Sequence, residues 1–262
     1  RFPSTRASGA PTTGTEQNGP RSALPESAAH WAAVIVNYNA GPLLARCASS
    51  VLADSSSGPV ELVVVDNGSS DDSLAELAAR VPEARVVLAR DNLGYARAAN
   101  FGIAVTAAPL VAVLNPDTEV TSGTARAMRE CFQREPSVGA AGPLVVNTDG
   151  TVYPSARRLP STGVAVGHGA LRLVWPTNPW TRRDRDLDAD PAVARLVDWV
   201  SGAAIWLRRS ALDDGGGWDE RYFMYVEDVD LCDRLRARGW GVVYEPAGRV
   251  QHVQGASTSR VP

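Results

Sequence analysis

Ala33-Val34-Ile35-Val36 is a short, fully apolar, β-rich run that stops abruptly in Asn37-Tyr38-Asn39. The same punctuation recurs along the next eighty residues. Glu61-Leu62-Val63-Val64-Val65 ends in Asp66-Asn67-Gly68-Ser69-Ser70-Asp71, and Arg85-Val86-Val87-Leu88 leads to Asn92-Leu93-Gly94-Tyr95. Leu110-Val111-Ala112-Val113-Leu114 ends in Asn115-Pro116-Asp117. Between these runs the apolar spacing turns helical: from about Pro42 to Leu52, through Leu74, Leu77 and Ala78 behind a capping Asp71, and along the alanines after Tyr95. Short apolar strands alternating with helices predict an α/β domain, a mostly parallel sheet with helices on its faces. Ligands of such open sheets bind outside the carboxyl ends of the strands, where all four polar clusters fall.

The totals narrow the function. A chain of 262 residues with 44% apolar composition can bury one large core, so a single domain is expected. Residues 1–29 are Pro, Ser, Thr, Gly and Ala rich, with Phe2 and Leu24 almost their only large apolar groups, and are predicted to be a disordered tail ahead of a domain spanning 30–262. A net charge of -3 provides no global field for nucleic acid, so no polynucleotide partner is expected. Every basic residue is arginine, which excludes P-loop and Schiff-base lysine chemistry and suits planar contacts with phosphates. No G-x-G-x-x-G follows the first strand, which argues against a dinucleotide dehydrogenase. Cys47, Cys131 and Cys232 have no metal-ligand spacing and read as reduced core thiols. Neither a membrane-spanning apolar run nor the apolar region of a signal peptide is present, so a cytosolic or peripheral protein is expected.

Beyond Val146, Asn147-Thr148-Asp149-Gly150 signals a hairpin. Residues 154–196 then look irregular, with five prolines, and form a long insert of the kind that carries function. Within residues 157–185 of it, Arg157, Arg158, Arg172, Arg182, Arg183 and Arg185 face a lone Asp184 in sequence, beside Trp175 and Trp180. Arginine next to tryptophan suits an anionic bilayer surface or a lipid diphosphate, although a solvated loop packing its tryptophans inward has the same composition. Regular structure resumes at Trp199–Leu207, continues in an acidic helix, and closes with Val242–Tyr244 and Arg249–His252.

The acidic helix follows Phe223-Met224-Tyr225-Val226 and opens with Glu227-Asp228-Val229-Asp230. Carboxylates in a first helical turn complement the helix dipole, with no catalytic meaning required. A carboxylate held beside apolar rings at that position is also a good general base. Asp66, at a strand end, can accept hydrogen bonds from a base or ribose. Asp117 places a negative group mid-cleft, where a hard cation could bridge it to a diphosphate, or it closes an Asx turn. His252 at the end of the last strand is a candidate second ligand or a structural histidine. Asn92, Gly94 and Asn100 lie at and just inside a helix N-terminus that could face an anion.

Taken together, Val36-Asn37-Tyr38-Asn39, Val65-Asp66-Asn67-Gly68-Ser69, Asn92-Leu93-Gly94, Asn115-Pro116-Asp117 and Glu227-Asp228-Val229-Asp230 resemble the family 2 inverting glycosyltransferases, which have the GT-A fold. Tyr153-Pro154-Ser155-Ala156-Arg157, Asn178-Pro179-Trp180-Thr181 and Asp219–Tyr225 are similar to the actinobacterial rhamnosyltransferases that build the arabinogalactan linkage unit. The resemblance implies transfer of L-rhamnose from dTDP-L-rhamnose to N-acetylglucosaminyl-diphospho-polyprenol, with inversion, by a protein at the inner face of the cell membrane. It implies Asp228 as the base, and Asn37, Asn39, Asp66, Asn67, Asn92, Gly94, Asn100, Asn115 and Asp117 on the donor. Glu227, Asp230, Arg157, Trp180, Arg182 and Arg183 would meet the acceptor, and Asp117 with His252 a divalent cation, Mg2+ or Mn2+. The first position of the family's Asp-x-Asp metal motif is Asn115 here. A same-fold transferase using UDP-hexose or UDP-galactofuranose is the nearest alternative, and an inactive nucleotide-sugar-binding protein the next.

Overall fold

The structure, a computed structural model, describes residues 31–54, 58–158 and 189–253. The expected N-terminal tail and residues 159–188 of the insert, with Trp180, Arg182 and Arg183, lie outside the described residues. Strand β1 (Trp31–Asn37) is buried along its whole length, the pattern of a strand covered on both faces. It pairs in parallel with β2 (Val60–Asp66) on one side and β4 (Leu110–Leu114) on the other, and β2 pairs in parallel with β3 (Arg85–Leu88).

Beyond β4 the sheet continues through β10 (Ala204–Arg208), β6 (Val138–Asn147), β11 (Gly241–His252) and β5 (Thr118–Val120), with β8 (Arg195–Leu196) also on β11. Only β10, β5 and β8 run against the common direction. The mostly parallel sheet with helices on both faces expected from the sequence is what the chain adopts. A separate ribbon pairs β7 (Ala156–Arg157) with β9 (Trp199–Val200), so both ends of the insert are tied down. Trp199–Leu207, expected as one regular run, is two strands split at Ser201-Gly202-Ala203. Val242–Tyr244 and Arg249–His252, expected separately, are one strand, because a register shift between Glu245 and Arg249 accommodates Pro246-Ala247-Gly248.

Alternation along β1 divides the core. Trp31, Ala33 and Ile35 face the layer formed by α1 (Pro42–Ala53), α2 (Ser73–Arg80) and α4 (Thr124–Arg134). Ala32, Val34 and Val36 face α3 (Tyr95–Ala104), α5 (Arg209–Gly215) and α6 (Glu227–Ala237). Helix α3 sits so close to the sheet that a Cβ on Gly102 would lie 2.3 Å from Val34 Cγ1, which is why its inner face is Ala96, Ala98, Ala99 and Gly102. Burying each large aliphatic side chain of these layers contributes roughly 1.5–3 kcal/mol. The two apolar layers clamp the strand ends that carry the polar loops. All three cysteines are free and buried.

Candidate active site

The carboxyl ends of the sheet open into a cleft of about 570 Å³. One wall is built from Tyr38, Asn67 and Asn92, the floor from Asn115, Pro116 and His252, and the far wall from the acid helix and the Ser201–Ala203 turn. Of the proposed donor residues, Asn67, Asn92 and Asn115 line it. Asn67 Nδ2 donates to Asn92 Oδ1 at 2.9 Å, and Asn92 Oδ1 also accepts from Gly94 N at 3.0 Å. This knot joins the loops after β2 and β3.

The remaining donor candidates sit behind that surface. Asn37 is fully buried, and its Nδ2 donates to Asp66 Oδ1, Ser69 Oγ and Ser73 Oγ at 2.8, 3.0 and 2.9 Å. Asp66 is itself buried and accepts a second bond from Ser69 N, so Asn37 orients the carboxylate from beneath. Asn39 has a φ of 51° and uses Oδ1 to accept from Ser70 N, which shapes the loop. Asn100 is placed away from the cleft: its amide brackets Trp218, donating to Trp218 O and accepting from Trp218 N. Gly94 meets Phe223, where a Cβ would fall 2.6 Å from the Phe223 carbonyl oxygen. Its φ of 82° also demands glycine. Gly94 is therefore the seat on which the Phe223 loop docks, while Asn92 before it and Tyr95 after it line the cleft.

Asp117 and His252 are far apart in sequence and are brought together by β5–β11 pairing, in which His252 stands opposite Thr118. His252 Nε2 lies 3.2 Å from Asp117 Oδ1. His252 lines the cleft, and the buried Asp117 lies behind it. An imidazole and a carboxylate converging on the floor suit a divalent cation that takes most of its remaining ligands from phosphate and water. Among the described residues no cluster of three or more His, Cys, Asp or Glu could hold a metal by itself. Asp117 and His252 supply two ligands of the kind such a cation takes.

Helix α6 begins at Glu227, after Tyr225 and Val226 at φ 68° and 69°. Left-handed backbone at a β-branched residue costs of order 1–3 kcal/mol and persists only where the surroundings hold it. Here Phe223 O accepts from Tyr95 N and Val226 O accepts from Asp230 N. The strained turn carries Glu227 and Asp228 into the cleft. Asp228 Oδ2 accepts from Gly202 N and Oδ1 from its neighbour Val229 N, both at 2.8 Å. Burial raises the Asp228 carboxyl, while those amides and the Arg157 charge pull the other way. Burial pushes Glu227 up to about 7, helped by the Asp228 charge, and its Oε2 has no hydrogen-bond partner among the described residues. Two adjacent carboxyls thus differ sharply in their support.

Arg157 also lines the cleft, its guanidinium 5.0 Å from the Trp199 ring centroid and its Nε donating to Pro154 O. Asp230 is not part of the cleft lining. It pairs with Arg234 one turn on at 2.7 Å, and Arg234 in turn binds Gly215 O and Gly217 O, so this acidic residue anchors the helix to the preceding loop. The sequence reading overlooked Tyr38, Tyr95, Tyr153, Trp199 and the Ser201–Ala203 turn as cleft residues. The Ser201-Gly202 pair inside an apolar run was the available signal for the turn. Tyr38 and Tyr95 stood within the polar stops after β1 and β3, while Tyr153 and Trp199 reach the cleft only through the fold.

The profile described as Glycosyl transferase family 2 matches residues 32–216. An N-acetylglucosaminyl-diphospho-decaprenol L-rhamnosyltransferase of Mycobacterium tuberculosis is 41% identical over 240 residues, covering 87% of this chain and 78% of that protein. The crystal structure of GalNAc-T7 with UDP, GalNAc and Mn2+ superposes with a TM-score of 0.63 at 16% identity, covering 87% of this chain and 44% of that one. S. aureus TarS 1-349 superposes at 0.59 with 14% identity, covering 86% and 60%. At those identities the two structures speak for the fold alone. A cleft with buried carboxylates at the ends of a mostly parallel sheet, in a chain matched over most of its length, belongs to a glycosyltransferase of family 2 with the GT-A fold.

Proposed function

We propose that the protein transfers L-rhamnose from dTDP-L-rhamnose to N-acetylglucosaminyl-diphospho-polyprenol, in synthesis of the arabinogalactan linkage unit. The observation that carries this reading is the 41% identity to the mycobacterial rhamnosyltransferase across 87% of the chain. The described residues contain no helix long and apolar enough to cross a membrane. A lipid-linked acceptor calls for peripheral contact at the inner membrane face, with the cleft-lining Arg157 on the acceptor side.

The chemistry is a single displacement. The acceptor hydroxyl oxygen attacks the anomeric carbon, the bond from that carbon to the diphosphate breaks, and the hydroxyl proton passes to Asp228. Gly202 N and Val229 N hold that carboxylate in one orientation, which is what proton transfer at a fixed atom requires. Asn67 and Asn92 face the donor side, with Asp66 fixed behind them by Asn37. Asp117 and His252 would hold Mg2+ or Mn2+, which when bound supplies positive charge opposite the leaving diphosphate.

Asp228→Asn keeps shape and cannot accept the proton, so turnover should fall by about 100-fold to 10,000-fold while dTDP affinity stays within twofold. Retention of more than about a tenth of wild-type turnover places the base elsewhere. Calorimetric titration with dTDP and UDP tests the donor, and tighter binding of UDP would assign the chain to a different sugar nucleotide.

A further inference from the structure

Asp228 owes one of its two hydrogen bonds to Gly202, a residue with no side chain to fix its own backbone. Gly202 is held from the opposite side. The Tyr95 hydroxyl donates to Gly202 O at 2.8 Å, while Gly202 N donates to Asp228 Oδ2 at 2.8 Å. Tyr95 is anchored in turn by its N–H to Phe223 O at 2.8 Å and by edge-on packing against Trp218 with centroids 5.7 Å apart. One residue at the head of α3 thereby holds, by its hydroxyl, the turn that supports Asp228 and, by its backbone N–H, the loop that delivers it. Tyr95 also follows directly on the Asn92–Gly94 loop, which forms part of the donor wall.

We propose that Tyr95 is the positioning residue for the base: its hydroxyl locks the Gly202 backbone, and Gly202 N–H locks the Asp228 carboxylate against the acceptor hydroxyl. The proposal rests on the reading of Asp228 as base. Burial, together with the nearby carboxylates of Glu227, Asp228 and Asp117, raises the Tyr95 phenol well above its ordinary value. It therefore keeps its proton across the working range and serves only as a donor to the carbonyl. Small misplacements of a reacting group cost large factors in rate, so the hydroxyl should matter far more to turnover than to donor binding.

Tyr95→Phe removes the hydroxyl and leaves the ring against Trp218. The expected result is a kcat lower by about 10-fold to 100-fold, with the KM for dTDP-L-rhamnose within twofold. Loosening Gly202 also weakens a hydrogen bond that favours ionised Asp228, so the acid limb of the kcat profile should move to higher pH. The other groups acting on Asp228 are Arg157 from β7 and Glu227 and Cys232 from its own helix, and Tyr95→Phe leaves them in place. Trp218→Phe disturbs packing and keeps the hydroxyl, so it should lower the melting temperature without moving the acid limb.

A Tyr95→Phe enzyme with wild-type kcat and an unmoved acid limb overturns the positioning role, provided Asp228→Asn is inactive alongside it. If Asp228→Asn retains turnover, the base assignment fails and the positioning role fails with it. In the wild-type chain, a test independent of any variant is hydrogen exchange at the Gly202 amide. Protection comparable to that of β10 is expected, and exchange at the rate of an open loop would overturn the proposal.

Discussion

Glu227→Gln should make the protein more stable at alkaline pH and leave it nearly unchanged in mild acid. The Glu227 side chain is buried beside Asp228, and its carboxyl is pushed from the ordinary 4.5 up to about 7, first by burial and then by the neighbouring charge. Below about pH 4.5 the folded and unfolded chains both carry the proton and the group is neutral in its effect. Between about 4.5 and 7 the folded chain binds more proton than the unfolded one, so stability falls as pH rises through that window. Above it the folded protein carries an ionised carboxylate in a buried position, at a cost of about 3 kcal/mol. Glutamine preserves the shape and never ionises. For a folded region of this size, about 3 kcal/mol corresponds to roughly 6–12 °C in melting temperature. The assay is thermal unfolding of variant and wild type at pH 5 and pH 8.5, read as the difference between the two proteins so that other titrating groups cancel. A variant that gains nothing at pH 8.5 relative to pH 5 would show that the Glu227 pocket is wet or that a partner neutralises its charge. No substrate is needed, so the outcome is independent of the proposed reaction.

Three further outcomes follow from the geometry. Asp117→Ala should weaken dTDP binding in Mg2+ and have no effect in excess chelator, measured by titration calorimetry; full activity in chelator would refute a cation held by Asp117 and His252. Gly94→Ala would set a Cβ 2.6 Å from Phe223 O at a φ of 82°, costing about 2 kcal/mol or more by thermal melt and lowering turnover by displacing the acid loop. Asp230→Asn removes an ion pair with Arg234 outside the cleft. It should cost less than about 1 kcal/mol and leave the acceptor KM within twofold, and a large rise in that KM would return Asp230 to the acceptor site.

The alternation of apolar strands and helices, and the polar stop after each strand, were legible because both are local: β1 through β4 each end where Asn37, Asp66, Leu88 and Leu114 meet their loops. Burial on both faces of the sheet demands unbroken runs such as Val34-Ile35-Val36, and such runs announce themselves in any reading. The carboxylates Asp66, Asp117 and Asp228 stood out for the same reason, as charges attached to apolar elements. Which polar residues line the cleft was decided mostly by contacts between segments far apart in the chain. Asn37 turned inward because Ser69, Ser73 and Asp66 surround it, Asn100 because Trp218 folds over α3, and Asp230 because Arg234 lies one helical turn away. His252 reaches Asp117 only through the register of β5 on β11, and Tyr95 reaches Asp228 only through Gly202. Hydrophobic patterning is short-range information that one strand or helix carries by itself. The direction of a polar side chain is set by hydrogen-bond partners in other segments, 29 residues away for Asn37 and 118 for Asn100, and only the folded chain supplies them.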